Sequence, residues 1–289
     1  MQHHLHLPPS RAGLRQQGVT LLELMVGIAI GLLVIAVAMG SLMVSRGVSS
    51  TVSEASTLQQ QASYAFRVIG QQIRQAGSME LSLTPSIIPT SGADYAMSPV
   101  AFDAPDPAED RPAFSRATST LTGQTTPAIA FTIGYQNYTE KITPTAAPVT
   151  SSLLRDCLGQ NPALSATGSL AATPVLTSKF ERNATNNELV CVGASGGAAQ
   201  AIIGNVTDMQ VRYIGQAAGT TTLQYHGSDY SGNWSNIYAI EVCLELTGTE
   251  TTPTAGAEYK NCSGVDTSYG DRLKMVFRNV YQLRSQGQV

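Results

Sequence analysis

The sequence predicts an α+β protein in which one long N-terminal helix packs on an antiparallel β-sheet. Three observations support this prediction. An uncharged apolar run extends from Leu24 to Val44, an apolar stripe at helical spacing continues to Ala76, and strands with period-two alternation fill the last part of the chain. We therefore expect a lollipop-shaped molecule. The lower half of the helix is transmembrane, and the amphipathic upper half lies against a globular head.

The apolar run is long enough to cross a bilayer, since about 20 helical residues span the hydrocarbon core. Glu23 lies at the start of this run. An ionisable side chain costs about 2.5–3.5 kcal/mol at the centre of a membrane helix and less near its end. Because such a charge needs a compensating partner, Glu23 is the first candidate functional residue.

The segment before the run, residues 1–18, contains Arg11 and Arg15 and no acid, and it ends at Gly18. In a secretory signal the small-residue cleavage site follows the apolar region, which is then discarded. Here the small residue precedes the apolar region. A cut after Gly18 would leave the helix on the mature protein and create a new amine at Val19. The two arginines favour a cytoplasmic N-terminus and an exported remainder.

The helix is expected to cover residues 19–76, with its transmembrane part at 19–44. Proline is absent from this range, and Gly77 fits a helix C-cap. The expected stripe of the upper half consists of Val48, Val52, Ala55, Gln59, Ala62, Phe66, Ile69, Ile73 and Ala76. Residues 77–289 then form the exported head.

The head is predicted to begin with a long irregular excursion over residues 78–127, with room for a short strand, because this stretch is rich in Pro, Ser, Thr and Ala. Alternation predicts strands near residues 129–135, 209–213, 238–246 and 273–283. Each strand has one apolar and one polar face, as in an antiparallel sheet that is covered on one side. On the solvated face we expect Glu241 and Glu245 to pair with Lys274 and Arg278, at about 0–1 kcal/mol per pair.

Composition and cysteine content limit the class of protein. The chain has 17 basic and 20 acidic residues, which argues against a nucleic-acid-binding surface. The four cysteines all lie in the part of the chain that we expect to be exported to an oxidising compartment. An even number of cysteines in such a compartment indicates two disulfides. Three connectivities are possible, and we expect the sequential one, Cys157–Cys191 and Cys243–Cys262. Zinc is the alternative, but no two cysteines have the close spacing of a zinc site. No metal or cofactor is predicted.

Enzymatic chemistry finds little support in the sequence, and we predict a protein that is not an enzyme. His226 is the only imidazole outside the leader, and a hydroxyl nucleophile normally needs such a base. The nearby Tyr225, Tyr230 and Trp234 form either a partner or glycan contact or, as we favour, a hairpin loop with Trp234 anchored in the core.

Other candidate sites have weaker patterns. An acidic run lacks the spacing of a calcium loop, and a glycine cluster lacks the lysine and helix of a phosphate loop. A row of cations on the last strand fits a solvated face better than a DNA contact. Three leader histidines are either metal-binding or simply part of a short cytoplasmic tail. The acidic run consists of Asp103, Asp106, Glu109 and Asp110, and the glycine cluster consists of Gly193, Gly196 and Gly197. The row of cations consists of Arg272, Lys274, Arg278 and Arg284, and the leader histidines are His3, His4 and His6.

A basic leader, a glycine before the cut, an acid at the fifth mature position and a continuous apolar helix resemble the type III signal peptide of type IV pilins and pseudopilins. The resemblance implies that a prepilin peptidase cleaves between Gly18 and Val19 and methylates the Val19 amine. It also implies that Glu23 pairs with the N-terminal amine of a neighbouring subunit. Val19 departs from the usual phenylalanine. Gly40 stands near the proline of major pilins, so a helix kink there is in question.

Three downstream stretches resemble the PilW family of minor type IV pilins: residues 63–77, residues 156–159 with 188–191, and residues 206–213 with 272–284. This implies a non-enzymatic subunit that primes pilus assembly at or near the tip. The implied partners are other minor pilins, the major pilin, the prepilin peptidase, the inner-membrane assembly platform and a large tip adhesin. The expected location is the bacterial inner membrane, with the head in the periplasm, and then the pilus fibre. The alternatives are a type II secretion pseudopilin and a membrane-anchored periplasmic enzyme or binding protein.

Overall fold

The computed structural model describes residues 18–79, 81–82, 86–89, 95–98, 101–102, 114–126, 128–138, 140–141, 150–152, 154–161, 175–194, 196–216, 222–252 and 256–283. The contacts within the chain divide it into two compact units, Met1–Ser50 and Thr51–Val289. The described part of the first unit is a short extended segment followed by helix. The second unit contains the rest of that helix and the β-structure.

The long helix, α1, spans Leu21–Gln75, and a short helix, α2, spans Arg116–Ser119. The predicted long N-terminal helix is therefore confirmed. Gly77 has a φ of 67°, the left-handed conformation that ends many helices, and its N–H donates to the carbonyl of Gly134 at 2.8 Å. This hydrogen bond fixes the end of α1 against the sheet.

Seventeen strands occur in the described residues. Their bounds are β1 Leu81–Ser82, β2 Ser86–Pro89, β3 Tyr95–Ser98, β4 Ala101–Phe102, β5 Leu121–Gln124, β6 Ala130–Gln136, β7 Glu140–Lys141, β8 Thr150–Ser151, β9 Val175–Asn183, β10 Glu188–Gly193, β11 Gln200–Ile203, β12 Val206–Gln216, β13 Leu223–His226, β14 Ile237–Thr251, β15 Glu258–Lys260, β16 Asp266–Ser268 and β17 Arg272–Gln282. The strands β1 to β5 and the short helix α2 all lie inside the stretch 78–127 that we expected to be irregular.

Every strand pair is antiparallel, so the predicted class of sheet is confirmed. The strands form two larger sheets, one with the order β11-β10-β9-β6-β5 and one with the order β13-β12-β14-β17. Four two-stranded ladders, β1–β4, β2–β3, β7–β8 and β15–β16, accompany them. Sequence alternation predicted a strand of the first sheet, β6, and three strands of the second, β12, β14 and β17.

The upper half of α1 supplies a buried stripe to the core, but the stripe differs in register from the prediction. Its members are Glu54, Leu58, Ala62, Ala65, Ile69, Ile73 and Ala76. The predicted stripe is right at Ala62, Ile69, Ile73 and Ala76. The buried face instead runs through Glu54 and Leu58, each one position before a predicted member of the stripe, Ala55 or Gln59. The predicted members that are exposed are Val48, Val52 and Gln59.

An acidic side chain within that stripe is hydrogen-bonded to backbone through one of its two oxygens, while the other oxygen is buried without a hydrogen-bond partner among the described residues. Glu54 is 9% exposed, and its Oε1 accepts the N–H of Glu250 at 2.7 Å. Gly248 allows this approach, since a Cβ there would lie 2.5 Å from the carboxylate oxygens. A hydrogen-bonded carboxylate can therefore occupy a position where the pattern predicts an apolar residue.

A buried polar cluster joins α1 to the five-stranded sheet. The Oε1 of Gln72 accepts the Ser178 hydroxyl at 2.9 Å and lies 3.3 Å from the hydroxyl of Tyr135. That tyrosine hydroxyl also donates to the carbonyl of Arg155. The Ser178 hydroxyl in turn accepts the N–H of Cys157 at 3.0 Å. Each of these polar groups has a partner, which is the condition for burying them at low cost.

The outer face of β14 is less solvated than predicted. Glu245 is 6% exposed and accepts the Thr207 hydroxyl at 3.1 Å. Lys274 lies opposite Thr247 in the register and 5.7 Å from the centre of the Tyr259 ring, so the predicted Glu245–Lys274 pair is wrong. The other predicted pair is present, with Arg278 3.3 Å from Glu241.

The β15–β16 ladder explains this burial. Cys262, in the turn between the two strands, is bonded to Cys243 of β14, with the two Cα atoms 5.7 Å apart. The guanidinium of Arg278 donates to the carbonyls of Asn261 and Cys262 in the same turn. The second disulfide joins Cys157 to Cys191, with a Cα separation of 6.3 Å. The two pairs correspond to the sequential connectivity.

Candidate functional site

The candidate site is the start of α1, where Thr20 and Glu23 form a capping box. The Oε2 of Glu23 accepts the backbone N–H and the hydroxyl of Thr20, both at 3.0 Å. In return, the Thr20 hydroxyl accepts the N–H of Glu23 at 3.3 Å. This reciprocal pattern satisfies donors that a helix N-terminus leaves open, and the acid also lies at the positive end of the helix dipole.

The sequence reasoning found Glu23 but missed the role of Thr20. The signal was present in the spacing Thr20-Leu21-Leu22-Glu23, which has the Thr-x-x-Glu form of a capping box. The structure explains how an acid can begin this helix without another subunit. It also shows that Oε1 of Glu23 accepts no hydrogen bond within the described part of the chain. This oxygen is open to a donor from outside.

The helix that follows exposes its apolar side chains throughout the first unit. Leu21 is 76% exposed and Leu33 is 66% exposed. By length and composition, α1 is the one helix among the described residues that could cross a membrane. The helix continues through Gly40, where a kink was in question. No described residue of this unit covers these side chains, so lipid or other helices are the surroundings that can bury them.

Two glycines give this surface points of close approach. Gly27 and Gly31 lie one turn apart, and a Cβ at either position would meet no atom within 4 Å. Glycines at this spacing let the backbones of two membrane helices approach closely. The surface can therefore pack against neighbouring helices as well as against lipid.

Comparison with known protein families gives a sequence match in this same region. Residues 13–39 match the family described as "Prokaryotic N-terminal methylation motif". The chain carries a prokaryotic N-terminal methylation motif. The matched residues include the predicted cleavage site at Gly18 and Val19, the capping box and the two glycines. Cleavage, methylation and the pairing of Glu23 with an amine stay predictions.

Among solved structures, the chain is similar to the type IV-like pilin TTHA1219 from Thermus thermophilus. The similarity has a TM-score of 0.39 and a sequence identity of 10%, and it covers 80% of this chain and 97% of that chain. A likeness at this level does not establish a shared family. No curated protein matches the chain.

The loop around His226 forms an aromatic cluster. The ring of Trp234 lies edge-on to the buried ring of Tyr213, with 4.9 Å between centroids, and to Tyr230 at 5.0 Å. The ring of His226 lies 4.5 Å from that of Tyr230, tilted by 36°. Burial raises the pKa of both Tyr213 and Tyr230. Trp234 packs against the core through Tyr213, as in the hairpin-loop interpretation, whereas Tyr225 is 65% exposed.

The remaining candidate sites contribute little chemistry. Gly193 ends β10 against the side chain of Asp156, and Gly196 has a φ of 66°, so this glycine cluster forms a turn. Within the described residues, no group of three His, Cys, Asp or Glu side chains is placed to hold a metal ion. The leader arginines and histidines, the acidic run at 103–110 and Arg284 lie outside the described residues.

Proposed function

We propose that this chain is a PilW-type minor pilin of type IV pili. In this proposal a prepilin peptidase removes residues 1–18 and methylates the amine of Val19. The subunit then leaves the inner membrane and enters the fibre through its N-terminal helix, at or near the tip. One observation carries the proposal: the methylation motif leads directly into an exposed apolar helix whose first turn holds Glu23.

The geometry of the capping box supports a role for Glu23 in assembly. One carboxylate oxygen is engaged by Thr20, while Oε1 accepts no hydrogen bond from the described residues. In hydrocarbon an anion needs a nearby cation, and the terminal amine of an adjacent processed subunit supplies one. Before assembly, Glu23 is hydrogen-bonded to Thr20. After assembly, its open oxygen can pair with the amine of the neighbouring subunit, so the capped helix end suits the subunit in both states.

The minor-pilin assignment rests on the head. The stretches that resemble PilW proteins include the Cys157–Cys191 region, the strand β12 and the strand β17. In the proposal this head contacts other minor pilins and a large tip adhesin, while α1 packs against neighbouring pilin helices and the assembly platform. The head acts as a structural subunit and not as an enzyme.

The test compares three variants in piliated cells. Glu23→Gln removes the charge but keeps a side chain that can still accept from Thr20, whereas Glu23→Ala removes both. Thr20→Val removes the cap, which costs about 0.5–2 kcal/mol of helix stability, and keeps the charge. We expect both Glu23 variants to lower the amount of this protein in purified pili at least about tenfold, equivalent to about 1.4 kcal/mol. Thr20→Val should lower it less. Quantitative mass spectrometry of sheared pili gives the readout.

Two results would contradict the proposal. Normal incorporation of Glu23→Gln would remove the charge from the mechanism. A deletion strain with normal piliation but defective protein secretion would identify the chain as a type II secretion pseudopilin instead. Membrane levels of each variant, measured in the same cells, control for changes in processing or insertion.

A further inference from the structure

A groove in the second unit runs between the last turns of α1 and the loop that carries Cys157. Its volume is about 560 Å³, and its walls include Tyr64, Gln71, Arg74 and Gln75 from the helix and Arg155 from the loop. The side chains of these five residues are exposed at the groove. The polar cluster of Gln72 lies at its base.

The two arginines of this groove have no acidic partner. Neither Arg74 nor Arg155 forms an ion pair in the part of the chain that the structure describes. Arg155 is nevertheless held in place, because its Nη1 donates to the carbonyls of Ser152 and Leu154, both at 2.7 Å. A guanidinium has five N–H donors, so most of its donors remain available to a ligand.

The one acid in the groove wall does not balance these charges. Asp156 is 2% exposed, and its Oδ1 accepts the N–H groups of Leu158 and Gln160, both at 2.9 Å. Its Oδ2 accepts the N–H of Ala194 at 3.1 Å. The carboxylate is thus occupied by backbone donors of the disulfide-linked loop. The helix adds no acid, because residues 55–79 contain neither Asp nor Glu.

We propose that this groove receives a carboxylate-bearing segment from the head of a neighbouring, different pilin subunit. This inference rests on the proposed function, which supplies the neighbour. A planar guanidinium fork matches a carboxylate in bidentate geometry, and Arg155 is already oriented by its two carbonyl contacts. A second copy that docked through the same groove would bring four arginines together, so two-fold self-association is disfavoured.

The experiment uses the full-length chain in piliated cells, with a photocrosslinking amino acid at one of two positions. Position 75 reports the groove, and position 28 reports packing of the apolar helix. We expect the probe that replaces Gln75 to crosslink to another pilin, at a peptide with an Asp or Glu next to the attachment point. The probe that replaces Ile28 should crosslink to pilin helices. Mass spectrometry of the crosslinked peptides identifies both partner and position.

Charge variants test whether the arginines cause the contact. The double variant Arg74→Glu with Arg155→Glu should lower the crosslink yield from position 75 about tenfold, because like charges would then face each other. Arg74→Lys should retain most of the yield. Arg272→Glu is the matched control for Arg74→Glu alone, since both variants replace one positive charge by one negative charge and Arg272 is at an exposed position of β17. Intact mass with both disulfides formed verifies the fold. Should the double variant misfold, Arg74→Glu alone replaces it, because that side chain has no ion pair to lose.

The outcomes separate the two proposals. Crosslinks from position 28 together with none from position 75 would overturn the groove proposal and leave the proposed function standing. Crosslinks from neither position would count against both. A crosslink from position 75 to a second copy of this chain, to a peptide without acids, or with a yield that charge reversal does not change, would also overturn the groove proposal.

Discussion

The two halves of α1 have the same backbone conformation but opposite relations to their surroundings. From Leu24 to Val44 the side chains are exposed on every side of the helix, whereas from Leu58 to Ile73 one face is completely buried. The more apolar half is therefore the half that no described part of the chain covers. Apolar content alone does not say whether a helix is part of a protein's own core; the pattern of polar interruptions does.

This difference also separates two sources of stability. Full burial of a leucine or isoleucine side chain contributes about 1.5–3 kcal/mol, and the upper half of α1 gains this on folding of the head. The lower half gains it only from lipid or from neighbouring helices. Substitutions in the two halves should therefore change different measurements.

The largest expected effect is on removal of residues 1–18, the step that would leave a free amine at Val19, before the lower half of α1. If a prepilin peptidase cleaves after Gly18, as proposed, Gly18→Val should abolish leader removal, because the proposed cut follows the small residue. Intact-mass spectrometry of the membrane fraction should then find residues 1–18 still attached. Gly27→Ala is the matched control, since an added Cβ there meets no atom within 4 Å. A fully processed Gly18→Val protein would refute the cleavage site.

The next effect compares one residue from each half. Ile69 is completely buried, and Ile69→Ala should destabilise the head by about 2–5 kcal/mol through the cavity it leaves. Leu33 is 66% exposed, and Leu33→Ala should change the head's free energy of unfolding by less than about 0.5 kcal/mol. Near-ultraviolet circular dichroism during denaturant titration, in detergent, measures both. Equal losses in the two variants would contradict the separation of the two halves.

The smallest effect is a pH dependence that belongs to the upper half alone. Burial raises the pKa of Tyr281 to about 12, while Asn279 and Arg74 act in the opposite direction. Its hydroxyl donates to the carbonyl of Phe66 in α1 at 2.7 Å. The folded pKa lies above the unfolded value of about 10, so this contribution is complete below pH 10 and is lost as the pH rises towards 12.

Tyr281→Phe tests this pH dependence. It should lower stability at neutral pH, because the hydrogen bond to Phe66 is lost, and make the decline between pH 10 and 12 shallower. Some decline should remain, since burial also raises the pKa of Tyr135 and Tyr213. Denaturant midpoints measured across this pH range give the comparison. Identical slopes for the variant and the parent protein would show that Tyr281 does not contribute.

The sequence revealed the long helix, its end at Gly77 and four strands, because each has a strong local pattern. It was less informative where buried polar groups interrupt the pattern. Ser178 occupies a buried position in β9, so that strand lacks an apolar alternation, and the five-stranded sheet was largely missed. Glu54 shifted the expected stripe of α1, since the backbone donor that compensates it comes from Glu250, distant in sequence.

The candidate site was more predictable than the fold around the head. Glu23 follows from the pattern, because an acid at the start of an apolar helix is unusual in any chain. The roles of Gly18 and Val19 come from the resemblance to type III signal peptides and stay predictions. Thr20 follows from the same stretch once the capping box is considered. The arginine groove is different, because Arg74 and Arg155 come together only through packing of α1 on the Cys157 loop.

The attachment of α1 to the head has a mechanical consequence. Within the second unit the helix is joined to β6 by the Gly77–Gly134 hydrogen bond, to β9 through Gln72 and Ser178, and to β17 through Phe66 and Tyr281. These strands belong to both larger sheets. The N–H of Glu250 in β14 also donates to Glu54 of the helix. Tension applied along the upper half of α1 is thus distributed over four strands.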